Sequence, residues 1–147
     1  MNKQEILVKK LIEKKYTISF AESCTGGKMA ATIVDVADAS KVLNASFVTY
    51  ANAAKMKYVN VSKETLDTLG AVSEQTAKEM AEGVAKANQA NVGVGITGMP
   101  VLQVALWKSL LVLYVLAIQL MVKQKRRQYT LAISEETWSG RKAWSMF

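Results

Sequence analysis

The segment Val92-Gly93-Val94-Gly95-Ile96 carries no polar side chain, and a strand of that kind keeps both faces out of water. A sheet covered on both sides needs helices above and below, which narrows a chain of 147 residues to one layered α/β domain. The flanking segments agree with this. Ile6, Leu7, Leu11 and Ile12 recur at helical spacing among lysines and glutamates, predicting a surface helix over residues 3–15. Thr17 to Phe20 alternates as a short strand. Gly26 and Gly27 open an alanine-rich run, KMAATIVDVA, that reads as helical, and Ala45 to Tyr50 is rich in β-formers and reads as a second strand. Ser62 and Ser73 have the character of N-caps, with Glu64 and Glu74 in the first turns that follow. The longer helix, about 74–88, has Ala77, Met80, Ala81, Val84 and Ala85 as its buried stripe. Strands alternating with helices predict a mostly parallel sheet in a layered α/β domain.

The chain contains no histidine. That excludes a Ser-His-Asp triad, a Cys-His dyad, a His-ligated metal and any imidazole proton shuttle. The single cysteine, Cys24, excludes an internal disulfide and suits a reducing cytoplasm. The first residues, MNKQEILVKKLIEKK, lack the apolar core of a secretion signal, so a cytoplasmic location is expected.

In parallel sheets the chemistry gathers at the carboxyl ends of strands, beside the free N–H groups of helix N-termini. Three stretches fall there. In Ala21-Glu22-Ser23-Cys24-Thr25-Gly26-Gly27, Ser23 is expected on a turn with its hydroxyl exposed, and the N–H groups of Thr25, Gly26 and Gly27 form a candidate oxyanion or phosphate cradle. The same residues also suit a plain N-cap with a tight glycine turn. In Tyr50-Ala51-Asn52-Ala53-Ala54-Lys55, Lys55 is the obvious base for a serine nucleophile when histidine is absent, provided burial keeps it neutral. Otherwise it is a solvated surface lysine. Tyr50 is a candidate proton relay or substrate contact. Ile96-Thr97-Gly98 ends a third strand with a hydroxyl and a free backbone. Cys24 is a second candidate nucleophile or a small buried filler.

The composition changes abruptly at Gly98. Residues 1–98 hold 12 lysines and no arginine against 10 acids, whereas residues 99–147 hold seven basic residues against two acids. All three tryptophans and all three arginines follow residue 98, and seven of the eight glycines lie at or before it. The net charge of +7 therefore belongs mostly to the tail.

The ordered stretches AESCTGG, TYANAAK, GAVSEQTAKEMAEG and VGVGITG together resemble the CinA C-terminal domain family over residues 4–98, about two thirds of the chain. The family includes the nicotinamide-nucleotide amidases. The resemblance implies an α/β/α sandwich and metal-independent, cofactor-free hydrolysis of the carboxamide of nicotinamide mononucleotide to the acid and ammonia. It implies Ser23 as the nucleophile, Tyr50 and Lys55 as its activating partners, and Thr25, Gly26, Gly27, Asn52, Thr97 and Gly98 as substrate contacts. It also implies a small-molecule nucleotide partner rather than nucleic acid, and a homo-oligomer. A non-catalytic nucleotide- or partner-binding module of the competence and damage type is the other function that the likeness allows. Asn91 stands where the family commonly has an acid.

After Gly98 the likeness stops. Where the family continues with a Gly/Pro-rich loop, this chain reads MPVLQVALWKSLLVLYVLAIQLMVKQKRR. Val101 to Val122 is apolar apart from Gln103, Lys108, Ser109 and Gln119, and a basic flank follows. It reads as a single membrane-spanning helix or a buried one. The genetic code offers another origin. In a shifted frame, Met99-Pro100 gives GCC, which encodes only Ala, and Trp107-Lys108 gives GAA, which encodes only Glu. The pairs around them permit AGPAGGTVEKPVGTV, the family's loop in register. Residues 99–147 therefore read as an out-of-frame translation after one lost nucleotide, so the sheet is expected to be incomplete beyond residue 98, with an apolar edge left open.

Overall fold

The computed structural model describes residues 1–98 and the backbone strands 112–122 and 125–135. Among the described residues, the α-helices α1 (Lys3–Lys14), α2 (Lys28–Val34), α3 (Asn52–Val59), α4 (Lys63–Thr68) and α5 (Glu74–Ala87) are interspersed with strands β1 (Ile18–Glu22), β2 (Phe47–Val48) and β3 (Val92–Gly98). Two further strands follow, β4 (Val112–Val122) and β5 (Lys125–Glu135). The sheet order is β2-β1-β3-β4-β5. β1 is parallel to both β2 and β3, whereas β4 and β5 are antiparallel to their neighbours.

Two apolar clusters define the three layers. On one face Val8 and Leu11 of α1 and Met29 and Ile33 of α2 pack with Ile18, Phe20, Val94 and Ile96. On the other, Val59, Leu66, Met80 and Val84 from α3, α4 and α5 pack over Ala21. The predicted stripe of α5 is buried in full. Helix α5 lies across β3 and β4 at close range because its facing residues are alanines and the strand offers glycines. A β-carbon on Gly95 would overlap the Ala77 carbonyl oxygen, and one on Gly93 would overlap that of Ala81. Gly83 allows the same intimacy between α5 and the Val59 carbonyl of α3.

Local chemistry explains the boundaries. Asn2 and Glu5 close a reciprocal capping box on α1, and Ser62 and Ser73 cap α4 and α5 through the Thr65 and Thr76 N–H groups. Helix α2 stops at Val34, short of the predicted end at Ala37, since Asp38 enters the left-handed region at φ 66° and turns Ala39 and Val42 under the core. The second strand spans Phe47 and Val48 only. Before it, side chains supply the bonds: the Phe20 N–H donates to Ser46 Oγ at 3.0 Å, and the Ser19 hydroxyl donates to the Ala45 carbonyl.

Two expectations about the tail are corrected. Residues 112–122 form a strand, not half of a transmembrane or buried helix, because a mainly apolar run of this kind can be read either way until its partner is known. No helix among the described residues is long and apolar enough to cross a membrane. The sheet continues past residue 98, with Val92 to Gly98 paired to Leu120 to Tyr114, so the edge of β3 is not open. Residues 101–111 of the proposed span lie outside the described residues.

Candidate functional site

Strand alternation sets the site. Beyond Phe20, which faces α1 and α2, Ala21 faces α3 and α5, Glu22 returns to α2, and Ser23 points again toward α3. The Ser23 N–H still bonds the Ile96 carbonyl at 3.0 Å, which carries the ladder one residue past β1. From α3, Lys55 reaches back under β2. Its Nζ lies 3.0 Å from Ser23 Oγ, 2.8 Å from the Thr49 carbonyl and 3.0 Å from the Tyr50 carbonyl. Lys55 is only 1 % exposed, so it is no surface lysine. No carboxylate pairs with it among the described residues.

Three oxygen neighbours serve both protonation states of an amine. The ammonium donates to all three. The free amine donates to the two carbonyls and turns its lone pair to the serine O–H, the direction that a general base requires. Burial pulls Lys55 below its usual 10.5, against the opposing pull of the Cys24 thiolate. Burial also pushes the Cys24 thiol up to about 11, against the main-chain N–H groups of Cys24 and Thr25 and the charge of Lys55. A thiol of that kind stays protonated at neutral pH, which favours Ser23 over Cys24 as the nucleophile. Iodoacetamide at pH 7.5 is expected to leave the folded chain unmodified at Cys24, and to modify it readily in urea, as peptide mass spectrometry will show.

The other site candidates take different places. Ser23 is buried rather than exposed, because Lys55 and the end of β3 close over it. It does not cap α2 either, whose N-cap is Gly27. The expected cradle is largely in use: the Gly26 N–H donates to the Ser23 carbonyl at 3.1 Å and the Gly27 N–H to Glu22 Oε2 at 3.1 Å. The Thr25 hydroxyl is also committed, to Glu22 Oε2 at 2.6 Å. Tyr50 reaches Lys55 through its carbonyl, while the residue is 62 % exposed and no hydrogen bond joins its phenol to the pair. Asn52 opens α3 and is exposed. The buried Thr97 hydroxyl donates to the Ala71 carbonyl at 2.6 Å, and Gly98 ends β3, paired with Tyr114.

Two residues were not singled out from sequence. Glu22 is a buried carboxylate, and the acid that ends an apolar strand before a Gly-Gly turn was the available signal. Thr49 gives its carbonyl to Lys55, and its buried hydroxyl has no partner among the described residues. Nothing in the sequence marks it.

A three-layer α/β/α domain with a buried serine–lysine pair at the carboxyl end of its parallel strands is thus the class of protein defined here. The chain belongs to the CinA C-terminal domain family, whose sequence model matches residues 1–100. A Clostridium perfringens relative with the provisional name competence-damage inducible protein is 49% identical over 96 residues, 65% of this chain and 23% of its own length. A CinA-like protein of Endomicrobium trichonymphae is 51% identical over 89 residues, 60% of this chain and 21% of its own. The chain thus spans about a quarter of the length of these relatives. The crystal structure of a competence/damage inducible protein from Agrobacterium tumefaciens is similar over 98% of this chain and 87% of its own, with a TM-score of 0.75 and 30% identity. A CinA superfamily protein from Escherichia coli covers 98% and 81%, with a TM-score of 0.72 and 27% identity. The structural matches thus cover 98% of this chain, and the sequence matches 65% and 60%.

Proposed function

We propose that this chain is a serine amidohydrolase that acts on the carboxamide of nicotinamide mononucleotide. The observation that carries the reading is the 3.0 Å contact between Ser23 Oγ and a lysine buried with no ion-pair partner among the described residues. The Lys55 amine takes the proton as Ser23 Oγ attacks the carboxamide carbon. The tetrahedral intermediate collapses, Lys55 returns that proton to the leaving nitrogen, and ammonia departs from an acyl-serine ester. Water, deprotonated by the same amine, then attacks the ester and releases the acid. Tyr50, exposed beside the pair, supplies an aromatic face for the pyridine ring, with Asn52 near it at the start of α3. Thr97 acts at one remove by holding the loop at Ala71, and the cytoplasm and a homo-oligomer fit the reading. With Gly26 and Gly27 engaged internally, the oxyanion falls to the main-chain N–H groups of Cys24 and Thr25, which face the Cys24 sulfur in the resting chain.

Ammonia release from nicotinamide mononucleotide tests this. The Ser23→Ala chain is expected to lose it to background. Equal rates remove the mechanism, and ligand-induced thermal stabilisation without turnover would support the nucleotide-binding module instead.

The second part of the proposal is that residues 99–147 arise from a shifted frame. The seam at Gly98, the recovered AGPAGGTVEKPVGTV and the end of the sequence match near residue 100 support it. Sequencing codons 95–110 decides the matter. An open frame encoding MPVLQV, found again in peptide mass spectra, overturns it. Restoring the nucleotide is expected to raise ammonia release.

A further inference from the structure

We infer that Glu22 is the positioning residue of the Ser23–Lys55 pair, its carboxylate locking the turn on one side of the sheet while its main chain locks the lysine's acceptors on the other. This rests on the nucleophile-and-base reading above and adds a residue to it.

The two carboxylate oxygens accept four hydrogen bonds. Oε2 takes the Thr25 hydroxyl at 2.6 Å and the Gly27 and Met29 N–H groups at 3.1 Å each, and Oε1 takes the Ala30 N–H at 2.9 Å. Every bond reaches forward to the turn or to the first residues of α2, so the five-residue link from Ser23 to Gly27 is held at both ends. The Glu22 carbonyl meanwhile accepts the Thr49 N–H at 2.7 Å, and the Thr49 carbonyl accepts from Lys55. A closed ring results: Ser23 to Glu22 by a peptide bond, then Thr49, Lys55 and Ser23 again by hydrogen bonds. The chain's own anion also satisfies the Gly27, Met29 and Ala30 N–H groups. A phosphate carried by the substrate finds no free donors there and is held elsewhere.

A charge-free isostere breaks this arrangement without changing its size. Glu22→Gln keeps one acceptor oxygen and sets an NH2 against N–H donors. Because small displacements of a nucleophile cost reactivity steeply, labelling of Ser23 by a fluorophosphonate should slow by about tenfold or more in E22Q. The rate is read by intact-protein and peptide mass spectrometry, well below the melting temperature, so no amide substrate is involved. Val8→Ala, which creates a cavity in the remote α1 core, should lower the melting temperature and label at the parent rate. Thr25→Val removes one bond to the carboxylate and should slow labelling several-fold, which decides the case even if E22Q does not fold. Parent-rate labelling of E22Q and of T25V removes the positioning role and leaves the nucleophile intact. A parent chain that is not labelled at Ser23 removes the nucleophile, and the positioning role with it.

Discussion

Replacing Gly95 by alanine is expected to lower the melting midpoint by about 10 °C or more, and the Gly93→Ala, Gly95→Ala double variant is expected not to fold. A β-carbon at Gly95 meets backbone on two sides, overlapping the Ala77 carbonyl oxygen and lying 2.7 Å from the Ala81 nitrogen. Neither atom can rotate away, as both belong to α5. The helix must therefore lift from the sheet. That separation loosens Met80 and Val84 against Ala21, in the cluster that also holds Val59 of the lysine-bearing helix. Overpacking of a core commonly costs about 1–3 kcal/mol, and a clash against fixed backbone belongs at or above the top of that range. A domain of this size has only about 5–15 kcal/mol to lose. Thermal melts followed by circular dichroism provide the measurement. A midpoint within about 2 °C of the parent would mean that α5 does not sit on β3 as described.

Lys55→Met is expected to slow both Ser23 labelling and ammonia release by about a thousandfold, the middle of the range for loss of a positioned base. Its effect on stability should depend on pH. Lys55 holds its proton less tightly in the folded chain than at its usual 10.5. Between the lowered value and 10.5 the unfolded chain retains a proton that the folded chain has released, so rising pH favours folding through that window. Methionine has no such proton. The parent chain should thus gain stability relative to K55M as the pH rises toward 10.5 and lose it below the window, where the buried ammonium must be kept out of water. Melting midpoints of the two chains from pH 7 to 10 test the sign. A difference that stays constant would place Lys55 in solvent, and one that reverses would give its ammonium a negative partner.

The site divides along a physical line. From the residues alone Ser23 and Lys55 stand as candidates beside a plain N-cap and a surface lysine, and the resemblance to the family singles them out; the structure brings the two side chains together. The internal partners of the glycine N–H groups, Glu22 among them, were not legible. A Gly-Gly turn before a helix has the same appearance whether its N–H groups face a ligand or a side chain of the same protein. Only the alternation of β1, carried to its last residue, shows that Glu22 enters the α2 side and uses those donors. Tyr50 shows the same limit: its place beside Lys55 was legible, but the hydrogen bond that its carbonyl accepts from Lys55 was not. The apolar run in the tail marks the ambiguity most clearly. Val112 to Val122 has the hydropathy of a membrane helix, and pairing with β3 makes it a strand.

What the sequence determined alone were the properties local to a few residues: the capped starts of α4 and α5, the alanine stripe of α5, the strand that must be covered on both faces, and the exclusion of imidazole chemistry. These depend on short-range hydrogen bonding and periodicity, which a linear reading contains. The tertiary structure decided what depends on which groups meet across the sheet. It gave Lys55 its dry surroundings and its three oxygen neighbours, committed the glycine turn to Glu22, and assigned the apolar tail to the edge of β3. Burial and partnership are properties of a three-dimensional neighbourhood, and residues 23 and 55 acquire one only when β1, β2 and α3 are packed together.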